Sequence, residues 1–453
     1  MNYPVWDVPI IGSVWVIGLI AIFHVMISHF AVGGGLYLAF AERKARREKR
    51  ADWLEVIRAH SKFFLILTGV FGAISGVGIW FSIGLASPES TSTLIHNFVF
   101  GWAIEWCFFA VEIATVMVYY YTWDRVDEKT HMTLAWLYAG SSWCTLVIIN
   151  GILTFMLTPG QSWLAVAGTG QEASKFWFAF FNPTYWPSLV LRTLICFALA
   201  GVWALVTASR IDGFQKPALK TEVIRWSSRW LVPAFLLVPV ALAWYLFSIP
   251  ENSRHLMQAG ISTIGSGMFT QVTRAALVTT MASATILAVV YFIAWRNPLD
   301  FNLAHAGAVL FLALAATGAT EHAREMIRKP YTVNQFMYSN GVRRADVAKF
   351  NAIGFTTQTI WNRGQMETGE LMFRGQCMNC HTVDGYRSMR RLLHGRDRKA
   401  ISNIVGMLHE SPATSPYKNF MPPLVGTPEE IDALIGYLDR LENPPLNRLV
   451  GQR

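Results

Sequence analysis

Ala103-Ile104-Glu105-Trp106-Cys107-Phe108-Phe109-Ala110-Val111-Glu112 lies inside an apolar run, 97–121. Its length suits one bilayer crossing, which takes about 20 helical residues. The two carboxylates are seven residues apart, almost two turns, and so share one face. A charge in hydrocarbon is costly unless paired, ligated or wet, so a functional role is the default for Glu105 and Glu112. Seven further stretches of similar character lie near 11–40, 61–86, 132–157, 187–208, 230–249, 274–295 and 302–320. The chain has 453 residues, 53% hydrophobic and 15% charged, with mean hydropathy +0.33, and is too apolar for a soluble globule of that size. The expected fold is all-α, a polytopic transmembrane bundle of about eight spans.

The net charge of +9 does not point to nucleic acid, because the basic residues cluster between apolar spans. Connections 41–62, 122–131, 209–229 and 296–301 carry sixteen Lys or Arg, whereas 87–96, 158–186 and 250–273 carry two, Lys175 and Arg254. By the positive-inside rule the first set is cytoplasmic and the amino terminus outside. Eight crossings return the chain to the outer face, so residues after the eighth span belong to the periplasm or outer face of a bacterial cytoplasmic membrane. The first span is too long, and lacks the basic leader, for a cleavable signal peptide. Cys107, Cys144 and Cys196 sit singly in apolar stretches and imply no disulfide framework.

Beyond the spans stands Cys377-Met378-Asn379-Cys380-His381. Two thiols at this spacing add to both vinyl groups of one heme, and the adjacent histidine becomes the proximal iron ligand. The alternative, a zinc or redox pair, lacks a second Cys pair nearby. Asn419-Phe420-Met421-Pro422-Pro423 presents a thioether on a proline-stiffened loop, and Met421 is the expected distal ligand. Pro428-Glu429-Glu430 then opens an amphipathic helical segment, Ile431 to Leu441. This order of elements resembles a small class I cytochrome c. The expected organisation is a heme-binding transmembrane domain, 1–330, a linker, 331–364, and an α-helical cytochrome c domain, 365–453, carrying one covalent heme c.

Other ionisable groups inside the spans are His24, His29, Arg192 and Arg274, with His322 and Glu325 closing the eighth. For Glu321, His322 and Glu325 a solvated helix end is the plainer reading, and His29 alone reads as a packing histidine. Residues 10–331 resemble subunit I of the cytochrome bd quinol oxidases. Phe23-His24 with Gly33 looks like the segment whose histidine serves the oxygen-reactive heme. Glu105 and Glu112, with Phe108-Phe109 and Trp123-Asp124-Arg125, are similar to the family's two glutamates, eight apart there, and its W-D-R loop. Glu325-Met326-Ile327-Arg328-Lys329-Pro330-Tyr331 looks like the element whose glutamate ligates the high-spin heme b. Smaller matches are His131-Met132 with Trp136, Asn150-Gly151 and Asn182-Pro183.

The departures are equally specific. Where the family places a histidine and a methionine on a low-spin heme b, this chain has Arg192 and Arg274 regions instead. The quinol-binding loop has shrunk to about 250–273, and the ninth span is replaced by the C-terminal domain. The resemblance therefore implies two membrane hemes, b and/or d, held by His24 and Glu325. Glu105 and Glu112 would bring protons or orient the reactive heme, and Arg192, Arg274 and Arg328 would pair with propionates. His29, His96 and His322 are spare candidates for a heme or copper ligand. The expected activity is O2 reduction with electrons entering through heme c from a periplasmic cytochrome or other redox protein, alongside a second membrane subunit. The alternatives are a non-catalytic conduit between the quinone pool and a periplasmic partner, or nitric oxide reduction.

Overall fold

The computed structural model describes residues 6–251, 254, 267–358 and 366–443. Eight helices in it are long and apolar enough to cross a membrane: Ser13–Arg47, Ala51–Ala86, Val99–Tyr121, Glu128–Phe155, Tyr185–Ala208, Pro217–Ser248, Val272–Trp295 and Leu303–Arg328. The eight-span all-α reading is borne out, while several boundaries lie further out than hydropathy places them. The second span starts at Ala51 because Trp53, Ile57, His60, Ser61, Phe64 and Leu65 form one buried helical face ahead of the apolar run. The eighth continues to Arg328 through the spaced pairs Glu321–Arg324 and Glu325–Arg328. The sixth is two helices, Pro217–Arg229 and Val232–Ser248, with Pro233 in the first turn of the second, where its missing N–H costs nothing.

The first span is the centre of the bundle, and three adjacent glycines let three neighbours reach it. A Cβ on Gly33 would stand 1.9 Å from the Cys196 carbonyl oxygen of the fifth span, one on Gly34 2.5 Å from the Phe64 ring of the second, and one on Gly35 2.4 Å from the Tyr138 ring of the fourth. Gly33→Ala must push the fifth span's backbone away, so it is expected to cost about 1–3 kcal/mol, as overpacking does. The check is the melting temperature of the detergent-solubilised protein, and an unchanged melt would mean that the two helices do not touch.

The cation-rich connections meet at one end of the bundle, joined by Lys44–Glu222 at 2.7 Å, Arg58–Asp124 at 2.5 Å and Lys216–Glu55 at 2.9 Å. A buried network ties the first, third and fourth spans at this same end. Glu42, fully buried, binds His131 Nδ1 at 2.7 Å, accepts from Tyr119 at 2.7 Å and pairs with Arg46 at 2.6 Å. Each polar group therefore has the partner that burial demands.

The C-terminal domain sits at the other end. Its helices are Thr368–Gln376, Met389–Leu393, Arg398–Glu410 and Pro428–Glu442. The first and last cross so closely that a Cβ on Gly369 would lie 2.1 Å from the Ala433 carbonyl oxygen. Thr427 and Glu430 cap the last helix reciprocally.

The stretch expected as a linker, 331–364, is structured over 331–358. Strands Tyr331–Val333 and Met337–Tyr338 pair as a hairpin, and helix Val347–Ile353 follows. Val333 and Met337 are buried in a cluster with Phe98, Phe155, Trp163 and Phe180, whereas Val342 and Phe355 belong to the core of the C-terminal domain. The segment thus packs into both bodies. Most of the shortened loop expected at 250–273, and the end of the linker, 359–364, lie outside the described residues.

Candidate functional site

Helix Thr368–Gln376 delivers the attachment motif, and the chain turns tightly after it. Cys377 N–H bonds the Phe373 carbonyl at 2.8 Å, and the N–H groups of Cys380 and His381 both reach the Cys377 carbonyl at 3.0 Å. His381 Nδ1 is bound to the Arg387 carbonyl at 3.0 Å. Since a carbonyl only accepts, Nδ1 carries the proton and Nε2 keeps its lone pair, the form that ligates iron. Burial holds the His381 imidazole below its ordinary value, which favours the neutral ring. Met421 lies on a loop tied to the same helix: Gln376 donates to the Val425 carbonyl at 2.7 Å and accepts from its N–H at 2.9 Å. Gln376 directly precedes Cys377, so this amide brings the methionine loop to the motif, a link the sequence does not advertise. Free thiols, an imidazole with its outer nitrogen fixed and a clamped methionine loop suit a covalent c-type heme.

The motif abuts the membrane domain. Lys329 Nζ is 3.6 Å from Cys380 Sγ and 3.2 Å from Glu325 Oε1. Burial pulls the Lys329 ammonium down, but Cys380 and Glu325 beside it more than restore it, leaving it above its ordinary value. The other Glu325 oxygen accepts from Arg328 at 2.5 Å, and Arg328 also bonds the Thr332 carbonyl at 3.1 Å. Both oxygens of the expected iron ligand are therefore engaged, and ligation requires one cation to release its oxygen. Arg328 Nε is buried without a hydrogen-bond partner, a spare donor beside that carboxylate. Additional contacts seat the domain: Tyr386 N–H on the Ile10 carbonyl at 2.8 Å, Trp15 edge-on to Tyr386 at 5.6 Å, and Asn379 on the Ser339 carbonyl at 3.3 Å.

His24 is half-buried, its Nδ1 3.0 Å from Ser75 Oγ of the second span. The Ser75 hydroxyl already donates to the Phe71 carbonyl at 2.6 Å, so it accepts from Nδ1–H. Nε2 is again the lone-pair nitrogen, and Gly76 beside the ring, where a Cβ would come within 3.2 Å of His24 Cε1, keeps that wall low. Glu112 is buried and accepts from Tyr138 and Ser142, each at 3.0 Å, both on the fourth span. Glu105 is half-buried on the same helix face, with no hydrogen-bond partner among the described residues. The pair thus combines one fixed and one free carboxyl, which suits proton transfer along the third span.

Arg192 stands where the family's low-spin ligand is expected. It lies in the electrostatic field of Glu321, Arg324 and Tyr245, with His29 beside it. Glu321 and Arg324 form an ion pair at 2.8 Å, and His29 Nδ1 is satisfied by its own Val25 carbonyl at 2.8 Å, so His29 packs as a helix-bonded histidine. Arg274 does not join this cluster. It is exposed on the seventh span, with no ion-pair partner among the described residues, because its helix face turns away from the bundle. His96 is exposed and bonded to the Ser92 carbonyl. His322 is half-buried between Arg387 and Glu325. Among the described residues no three His, Cys, Asp or Glu side chains gather as a metal cluster.

An eight-span bundle with an imidazole and paired carboxylates within it defines a multi-pass membrane protein. Residues 13–242, more than half of the chain, match the family model described as cytochrome bd terminal oxidase subunit I, and the chain belongs to that family. The fold resembles "The structure of bd oxidase from Geobacillus thermodenitrificans", with a TM-score of 0.60 and 15% identity over 73% of this chain and 89% of that one. No curated protein matches the chain by sequence.

Proposed function

We propose that the chain is the oxygen-reducing subunit of a bd-type oxidase whose electrons enter through the C-terminal domain rather than through a quinol loop. The observation that carries this reading is Lys329, one side chain that touches both Cys380 and Glu325. The covalent attachment site and the closing carboxylate of the eighth span are thereby adjacent. When bound, iron porphyrins would supply the electron transfer and the open coordination position at which a diatomic oxidant is reduced.

The chain's own residues divide the remaining work. Cys377 and Cys380 tether a heme c, with His381 and Met421 as its axial ligands. His24 presents Nε2 inside the bundle, and Glu325 offers a carboxylate bound by Arg328 and Lys329. Arg192 and Arg328 are cations placed to receive propionates, a charge-assisted contact that burial strengthens; Arg274, facing away, is left out of that role. Glu112, fixed by the hydroxyls of Tyr138 and Ser142, and Glu105 on the same helix face relay protons along the third span. The second, third, sixth, seventh and eighth spans bury only about a fifth of their apolar windows, against 61% for the fifth, leaving faces for lipid and a second membrane subunit. The C-terminal domain would face the periplasm, opposite the cation-rich end.

The test is oxygen uptake by the purified complex supplied with a reduced soluble cytochrome c and no quinol. Uptake supports the oxidase reading. Quinol-driven reduction of the c-type heme without oxygen uptake favours the conduit, and uptake of nitric oxide in place of oxygen favours the reductase.

A further inference from the structure

A groove at the cation-rich end lies between the first, fifth and sixth spans, with a main lobe of about 1000 Å³ and a side lobe of about 580 Å³ that shares Lys44, Trp226 and Arg229 with it. Its walls are layered. On the first span Phe40 lies one turn inside Arg43 and Lys44 and two turns inside Arg47; on the sixth, which runs the opposite way, Arg225 and Arg229 lie outside Trp230 and Pro233. On both walls the cations gather toward the end of the bundle, with Trp226 among them, and the rings of Phe40, Trp230 and Pro233 extend the lining further in. Phe197 of the fifth span closes the apolar level, and Phe40 is 43% exposed there.

Charge decides what fits. The groove's two carboxylates, Glu48 and Glu222, both bind Lys44, at 2.5 and 2.7 Å. Arg43, Arg47, Arg225 and Arg229 have no carboxylate partner among the described residues; Arg225 bonds the Trp295 carbonyl and Arg229 lies over its ring. Four uncompensated guanidinium groups above an aromatic slot match an amphiphile with an anionic head. We propose that this groove binds an anionic phospholipid, its phosphodiester among the arginines and its acyl chains against Phe40, Phe197 and Pro233. Basic pockets between spans are suited to such headgroups, whereas a free phosphate would leave the ring-lined level without a partner.

The test titrates the delipidated full-length protein with phosphatidylglycerol, with phosphatidylcholine of the same acyl chains, and with inorganic phosphate, following bound lipid by native mass spectrometry. Phosphatidylglycerol is expected to bind more tightly than phosphatidylcholine. Arg47→Gln with Arg229→Gln should weaken phosphatidylglycerol about 30-fold, at about a fivefold loss per surface charge, and weaken zwitterionic phosphatidylcholine by much less. Arg58→Gln with Lys62→Gln, cations outside the groove, should change neither. If the double variant fails to assemble, Arg47→Gln alone should show the fivefold loss. Equal binding of the two lipids, undiminished phosphatidylglycerol binding by the variants, or displacement of the lipid by phosphate would each overturn the proposal.

Discussion

A protein carrying Cys377→Ala and Cys380→Ala is expected to show no heme on a denaturing gel stained for peroxidase activity, where the wild type stains. Denaturation strips every porphyrin held by coordination alone, so only thioether attachment survives it, and these are the two thiols of the motif. Each single variant keeps one possible thioether and should stain weakly. In the native membrane the double variant should retain its non-covalent heme absorbance, because His24 and Glu325 lie on spans of the bundle and not in the domain built on helices Thr368–Gln376 and Pro428–Glu442. Oxygen uptake driven by reduced cytochrome c should fall to background. Full staining of the double variant would remove the basis for a c-type heme here, and unchanged uptake would show that electrons enter elsewhere.

The second large effect is expected at the first span. His24→Ala removes the nitrogen donor that the structure holds ready, and the purified protein should lose one high-spin heme signal together with its carbon monoxide difference spectrum. Ser75→Ala tests the same ligand from behind. It leaves the ring in place but removes the acceptor, 3.0 Å away, that fixes the proton on Nδ1. Loss of such an orienting partner typically costs 10–100-fold in affinity, so heme occupancy should fall on dilution in the serine variant while the spectrum of the bound fraction stays near wild type. A His24→Ala protein with both high-spin signals intact would move the ligand to another residue.

The residues differ in how legible they were. Spans show themselves because a bilayer imposes about 20 apolar residues on a local stretch, and Cys377, Cys380 and His381 stand out because a proposed covalent heme site would be built from chain neighbours. Lys329 gave no such signal. Its place between Glu325 and Cys380 depends on how the eighth span's end meets a domain some fifty residues later. Arg192 and Arg274 looked alike as cations within apolar runs, yet one faces a half-buried ion pair and the other the outside, since hydropathy reports that a helix crosses and not how it is rotated. Segment 331–358 read as a connector because three-residue strands carry too little periodicity to register, and its packing into two cores is a long-range event.

Sequence by itself determined the number of crossings, their likeness to a bd-type subunit and the residues able to anchor a heme, all of them consequences of local length, spacing and donor chemistry. Tertiary structure alone decided which nitrogen of His24 and His381 is free, which carboxylates are already paired, and that the attachment motif rests on the end of the eighth span. Those outcomes turn on contacts of a few ångströms between residues far apart in the chain, and such distances exist only once the helices have packed.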